Sequence, residues 1–153
     1  HLCGLHAMDS CRTEKAFRHF GHDITPEDHV IEAGLGFAVP KDKTGYIGAD
    51  AVAKKREAGM NQRLVQFLLT DPEPLLYHNE PILRDGQVVG YLSTGSYGHT
   101  LGAAVGLGWV PCKGEDAATV LTSSYEIDVA GTRVAATASL KPMYDPKSER
   151  VKV

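Results

Sequence analysis

The chain has 153 residues, enough for one domain or two small ones, and that length excludes a long multidomain machine. Residues scored as hydrophobic make up 42% and charged residues 23%, so a real core can be buried and composition does not point to disorder. Sixteen Lys and Arg against 19 Asp and Glu give a formal charge of −3, which supplies no electrostatic footprint for nucleic acid. The most apolar stretch, residues 102–110, is far shorter than the ~20 residues a bilayer helix needs and is broken by glycine. Neither nucleic acid nor a membrane is therefore an expected partner. The chain opens at His1 without a methionine or a signal-peptide pattern, which reads as a piece of a longer polypeptide. Cys3, Cys11 and Cys112 are an odd number without a C-x-x-C pair. They read as packing thiols of a reducing compartment, and no metal ligand is assigned.

Helix signals come first along the chain. Asp9 or Ser10 can cap a short amphipathic helix over residues 12–20, with Phe17 and Phe20 three apart and Gly21 as its stop. Thr25-Pro26-Glu27 sets a hydroxyl before a proline and an acid, the start of another helical turn. A third helix is predicted over residues 49–57, with Lys54, Lys55 and Arg56 at its negative end and Gly59 beyond.

From Arg63 onward the pattern is strands. Residues 64–69 form a buried run ended by Asp71-Pro72-Glu73-Pro74. Residues 81–84 and 87–92 flank Asp85-Gly86, a type I′ hairpin signal, and residues 125–129 and 133–138 flank Ala130-Gly131 in the same way. With residues 101–110 as a further extended run, five or six antiparallel strands are available to close a small barrel and remove its edges. The tail from Lys141 is polar and is expected on the surface.

Few residues carry chemistry by spacing alone. Gly95-Ser96-Tyr97-Gly98-His99-Thr100-Leu101-Gly102 satisfies neither a phosphate loop nor a dinucleotide fingerprint and reads as a turn between strands. His99 can be an acid or base, or can fix that turn. No G-x-S-x-G elbow is present. His19 and His22 read as residues capping the end of the first helix. Glu14 and Arg18 stand four apart, as a surface ion pair would. Arg12 either belongs to the same solvated face or points its planar fork into a cleft, to orient a carboxylate or a heterocycle edge by paired hydrogen bonds.

Taken together, Asp9-Ser10-Cys11-Arg12-Thr13-Glu14-Lys15, Gly21-His22-Asp23-Ile24-Thr25-Pro26 and Glu32-Ala33-Gly34-Leu35-Gly36-Phe37 resemble, in order and spacing, a motif series of the glycine cleavage T-protein (aminomethyltransferase) superfamily. That series reads D-S-L-R-x-E, G-x-D-I-(T/S)-P and E-A-G-L-x-(W/F). Tyr46-Ile47-Gly48, residues 80–91 and residues 93–102 look like the family's C-terminal barrel. Glu14-Lys15, Tyr97-Gly98-His99-Thr100 and Met8 in place of an arginine are most similar to the folate-binding half of FAD-dependent sarcosine or dimethylglycine dehydrogenases.

The resemblance implies an α+β fold: a short helical α/β segment over residues 1–60, the end of a folate-binding domain, then a small antiparallel β-barrel over residues 61–153. It implies tetrahydrofolate as cofactor, FAD in the parent protein only, and the upstream domains of the same polypeptide as partners. The location would be cytoplasmic, or the mitochondrial matrix in a eukaryote. Arg12 matches the arginine aligning the folate side of the cleft, Phe37 the aromatic position beside the pterin, and Glu32 a support for that turn; Tyr97 and His99 are positioning elements. Phe37 packed into the core is the alternative for that ring. No catalytic residue is assigned, because the family's catalytic aspartate belongs to a half expected before His1, and the isolated chain is then inactive. Cys11, Thr13 and Ala16 depart from the usual Leu, Leu and Gly. The expected geometry brings Arg12 and Phe37 together on one wall of a pocket that other polypeptide completes. Two alternatives stand beside this one: a barrel that only closes or holds an enzyme, and part of a stand-alone aminomethyltransferase or folate-dependent demethylase.

Overall fold

The computed structural model describes residues 2–152. Helix α1 (Leu5–Glu14) and helix α2 (Ala49–Ala58) precede strands β1 (Gln62–Leu69), β2 (Pro81–Arg84), β3 (Gln87–Gly98) and β4 (Ala103–Pro111). A short helix α3 (Ala117–Thr122) then leads to β5 (Tyr125–Val129) and β6 (Thr132–Ser139). The six strands close an antiparallel barrel in the order β1-β4-β3-β2-β5-β6, so the chain is α+β, as the resemblance implies. Pairing of β1 with β6, from Gln66 opposite Ser139 to Leu69 opposite Ala136, closes the ring and leaves no free edge.

Both predicted hairpins form. Asp85 and Gly86 have φ of 52° and 79°, and Ala130 and Gly131 have 52° and 87°, the positive pair that a two-residue turn needs to follow the twist of its strands. Strand alternation sorts the core. Val65, Phe67 and Leu69 of β1 point into the barrel, where they meet Ile82, Leu92, Val110, Tyr125 and Ile127. The opposite face of β1 and β4 is covered as well: Leu64 and Leu107 pack on Ala16, with Ile24 and Trp109 beside them. This second cover is why β1 and β4 are buried along nearly their whole length while β6 is largely open.

The N-terminal helix is displaced from its predicted place. It spans Leu5–Glu14 instead of residues 12–20, because Ala16 takes a left-handed conformation with φ of 51°. Phe17 N–H then bonds to Arg12 O at 2.8 Å and Ala16 N–H to Thr13 O at 3.0 Å, the paired closure that ends a helix with a left-handed residue. Glycine is the usual occupant of such a position; here the alanine methyl gains burial against Leu64 and Leu107. Residues 25–28 make only a turn, although Thr25 and Asp28 exchange the bond of a helix start, the Asp28 carboxylate accepting the Thr25 N–H at 2.8 Å. Helix α2 forms where predicted, and α3 was not predicted, although its cap Asp116 accepts the Thr119 N–H in the usual way.

Candidate functional site

The site is built on the contact of α1 and the following loop with β3 and β4. Arg12 is its centre. Nε donates to Asp9 Oδ1 at 3.0 Å, Nη1 to Asp23 Oδ2 at 2.6 Å and to Phe17 O at 3.3 Å, and Nη2 to Thr94 Oγ1 at 3.0 Å. The Asp23 side chain is fully buried, and both its oxygens are engaged: Oδ2 also accepts His19 N–H at 2.8 Å, and Oδ1 accepts Ser93 Oγ–H at 2.5 Å. Its backbone carbonyl accepts the indole N–H of Trp109. Adjacent side chains of a regular strand face opposite ways, yet Ser93 and Thr94 both reach this network. A shift in the β3–β4 register between Leu92 and Thr94 permits it.

Two further buried polar side chains, Glu14 and Gln66, secure the same contact. Glu14 Oε1 accepts the backbone N–H groups of Thr100 and Leu101 at 2.6 and 2.9 Å, holding the β3–β4 turn. The approach is close: a Cβ on Gly98, the last residue of β3, would lie 3.1 Å from that oxygen and 3.2 Å from Ala103 O, so a side chain there would press on both. Gln66, on the outer face of β1, donates to Thr13 O and Glu14 O, satisfying carbonyls at the end of α1, and accepts Met143 N–H. The tail is thereby tied down and does not merely lie on the surface: Lys15 Nζ reaches Asp145 O at 2.6 Å and Ser148 Oγ at 3.2 Å. The predicted Glu14–Arg18 pair does not form, because Glu14 reaches the amides of the β3–β4 turn while Arg18 donates to Ala33 O and Ala16 O.

An open cleft of about 430 Å³ lies against this network, with Asp9, Ser10, Arg12, Ser93, Thr94 and Tyr97 in its wall. His6, His19, His22, His78 and His99 also line it, five of the chain's seven histidines. His19 and His22 stack with ring centroids 4.8 Å apart and lie well past the end of α1, so they do not cap it. Tyr97 and His99 meet edge to face at 5.2 Å. Four bonds occupy four of the five guanidinium N–H donors of Arg12, so the paired fork expected for a ligand is already committed. One Nη2 N–H remains. Among the described residues, no three His, Cys, Asp or Glu side chains gather as a metal site.

The other predicted site residues lie elsewhere. Phe37, in a short 3-10 turn (Gly36–Ala38), is 79% exposed, neither packed in the core nor lining the Arg12 cleft. The structure therefore does not bring Phe37 and Arg12 to a shared cleft wall: the ring follows the Ala33–Gly34 turn, whereas the cleft is walled by α1 and β3. Glu32 is buried and accepts Asn61 N–H at 2.6 Å, Gln62 N–H at 3.4 Å and Lys55 Nζ at 2.8 Å. Burial alone pushes its carboxyl up, but the Lys55 ammonium and the two amide donors outweigh that and hold it below the ordinary glutamate value. Burial pushes the Cys112 thiol up despite nearby Arg63, which fits an inert packing thiol. Asp23, Gln66, Ser93 and Thr94 had no assigned role from sequence, although Asp23 stands inside the second motif.

Fold and site together define a closed antiparallel barrel carrying a helix-and-loop latch, with a ligand-sized cleft at the seam. The same architecture occurs in the crystal structure of the glycine cleavage system aminomethyltransferase T from Bartonella henselae, with a TM-score of 0.78 at 24% identity over 94% of this chain and 39% of that one. The family profile described as the glycine cleavage T-protein C-terminal barrel domain matches residues 62–145, and that of the GCVT N-terminal domain matches residues 1–43. The chain belongs to the glycine cleavage T-protein family. It is 41% identical to 4-methylaminobutanoate oxidase (formaldehyde-forming) of Paenarthrobacter nicotinovorans over 99% of its length, and 34% identical to human mitochondrial sarcosine dehydrogenase over 97%. It is 32% identical to the aminomethyltransferase of Exiguobacterium sibiricum over 93% of its length. It spans 18%, 17% and 38% of those three proteins. No helix among the described residues is long and apolar enough to cross a membrane.

Proposed function

We propose that the chain is the C-terminal portion of a tetrahydrofolate-dependent one-carbon transfer unit, of the kind carried by FAD-dependent sarcosine or dimethylglycine dehydrogenases, and that it supplies the barrel-side wall of the folate cleft. The observation that carries this reading is Arg12: the arginine of the matched motif stands in the wall of a cleft, held by Asp9, Asp23 and Thr94, with one N–H left over. Folate carries the one-carbon unit when bound. This chain's residues bind and orient. Arg12 offers one N–H, its charge being balanced by Asp9 and Asp23, while Tyr97 and His99 shape the adjoining wall. The donor set fits a ligand edge with neutral carbonyl or amide oxygens: one arginine N–H, hydroxyls, a phenol ring and imidazoles.

The motif match assigns Phe37 to the pterin; since the ring lies outside the Arg12 cleft, this reading puts it on a separate wall that other polypeptide would bring to the ligand, with Glu32 bracing its turn. No residue here is assigned to FAD, which belongs to the oxidising part of the parent. No catalytic acid or base is assigned either, since proximity catalysis needs donor, acceptor amine and proton-transfer group held together. The isolated chain is then inactive. Cytoplasm or mitochondrial matrix is the compartment this reading implies. Arg12→Ala in the parent polypeptide should weaken folate-dependent transfer while amine-driven flavin reduction persists, with Arg12→Lys intermediate. Unchanged transfer at limiting folate would defeat the assignment and favour a barrel that only closes or holds the enzyme.

A further inference from the structure

The barrel is complete before the chain ends. Its ring closes with β6, which stops at Ser139, yet residues 143–148 run back to the end of α1. There Met143 N–H donates to Gln66 Oε1 at 2.9 Å and Tyr144 N–H to Glu14 O at 3.3 Å. The Lys15 ammonium makes three contacts with this tail: Asp145 O at 2.6 Å, Asp145 Oδ2 at 3.3 Å and Ser148 Oγ at 3.2 Å. The ion pair is sheltered, its side chains being 12% and 9% exposed, and the ammonium lies 5.9 Å from the ring centres of Phe17 and Tyr144. Asp145 also accepts the amides of Glu149 and Arg150. Asp145 and Ser148 hold left-handed φ values of 43° and 53°, which residues with a side chain keep only where surrounding bonds enforce them. This clasp adds no strand to the ring.

The residue before Lys15 connects the clasp to the cleft. Glu14 Oε1 takes the amides of Thr100 and Leu101 in charge-assisted bonds, and Ser10 Oγ donates to Tyr97 O. Among the described residues, these are the only hydrogen bonds tying residues 97–102 to anything outside the β3–β4 hairpin. Tyr97 and His99 of that segment stand in the cleft wall, edge to face. The tail acts on Glu14 by two routes: directly through Tyr144 N–H, and through Met143 N–H, which orients the Gln66 amide so that Nε2 can hold Thr13 O and Glu14 O. Releasing the tail would therefore loosen the turn and both rings while the six-stranded ring stayed closed. We infer that Lys15 and Asp145 are positioning residues of the cleft: by clasping the tail to the end of α1 they hold Glu14 on the β3–β4 turn, and with it Tyr97 and His99 in the wall that meets the ligand. For the identity of that ligand this rests on the folate reading. By linkage the coupling runs both ways, so a ligand in the cleft also tightens the tail.

Amide exchange in the full chain, followed residue by residue by NMR, separates this role from a local one. In Lys15→Met, and independently in Asp145→Ala, Met143 and Tyr144 should exchange faster, and Thr100 and Leu101 should follow by about five-fold or more, while Phe67 and Ile127 inside the barrel keep their wild-type rates. Lys15→Arg, which retains the charge and the donors, should keep the turn slow. Asp145→Ala leaves α1 and every strand unchanged and carries the test if Lys15→Met does not fold. Opening of the tail with Thr100 and Leu101 unmoved would overturn the inference. An equal rise at Phe67 and Ile127 would overturn it too, since the clasp would then only stabilise the whole fold. Folinic acid supplies the ligand arm: its affinity should fall by the same factor in both variants, and saturating ligand should slow Met143 and Tyr144 in the wild type. Unchanged affinity in a variant whose turn has opened would refute the positioning role. Linked exchange without any folinic acid binding would sink the folate reading alone, whereas binding in the cleft with no linkage between tail and turn would sink the positioning role alone.

Discussion

Asp23→Ala is the perturbation that the latch account constrains most tightly. The side chain is fully buried, pairs with Arg12 at 2.6 Å and takes two further hydrogen bonds, from His19 N–H and Ser93 Oγ–H. Removing it strands a guanidinium that is itself only 13% exposed, together with one amide and one hydroxyl. Breaking a buried pair from one side costs about 3–5 kcal/mol. In a domain of this size about 1 kcal/mol moves the melting point by roughly 2–4 °C, so a fall of about 10 °C is expected. Urea unfolding of the wild type, Asp23→Ala, Arg12→Ala and the double variant gives a thermodynamic cycle. The double variant should be much less damaged than the sum of the singles, with a coupling of about 2 kcal/mol. A loss below about 1 kcal/mol for Asp23→Ala, or simple additivity, would show that the network does not lock the loop to the barrel.

Other outcomes follow from the same contacts. Gln66→Leu leaves Thr13 O, Glu14 O and Met143 N–H without their partner and should cost about 3–5 kcal/mol by urea unfolding, with the tail becoming sensitive to proteolysis. Glu32 has a depressed folded-state pKa, so its stabilisation is complete above the ordinary value of 4.5 and is lost as pH falls through the lower folded value. Glu32→Gln should therefore be about 1–3 kcal/mol less stable at pH 7, and the gap should close on acidification below about 4.5; a constant gap would contradict the pairing with Lys55. Phe37→Ala should change stability by less than about 0.5 kcal/mol, because the ring is exposed; a larger loss in a melting curve would put it in the core.

The barrel was legible because its signals are local. Asp85-Gly86 and Ala130-Gly131 dictate turns, and the apolar run over residues 64–69 marks a buried strand, although with apolar residues on both faces it does not say which side chains point inward. The latch was not legible in the same way, because its bonds join residues far apart in the chain: Arg12 to Thr94, Ser10 to Tyr97, Lys15 to Asp145. Phe17 and Phe20 have helical spacing yet lie beyond a helix that Ala16 has already ended, and they stay exposed. Arg12 could be singled out only through the family motif, since composition offers no reason to prefer it to the other cations. Glu14 and Asp23, also motif residues, hold the turn and the loop, so part of what makes this family recognisable is the fastening of α1 to the barrel.

The most direct test of the central assignment is an NMR titration of the chain with folinic acid, observing the Arg12 Nε–H and the amides of His19, Ser93 and Thr94. The account predicts weak, saturable shifts confined to those cleft residues, abolished in Arg12→Ala. Shifts that map to another surface, or none at millimolar ligand, would contradict the claim that this wall belongs to a folate site.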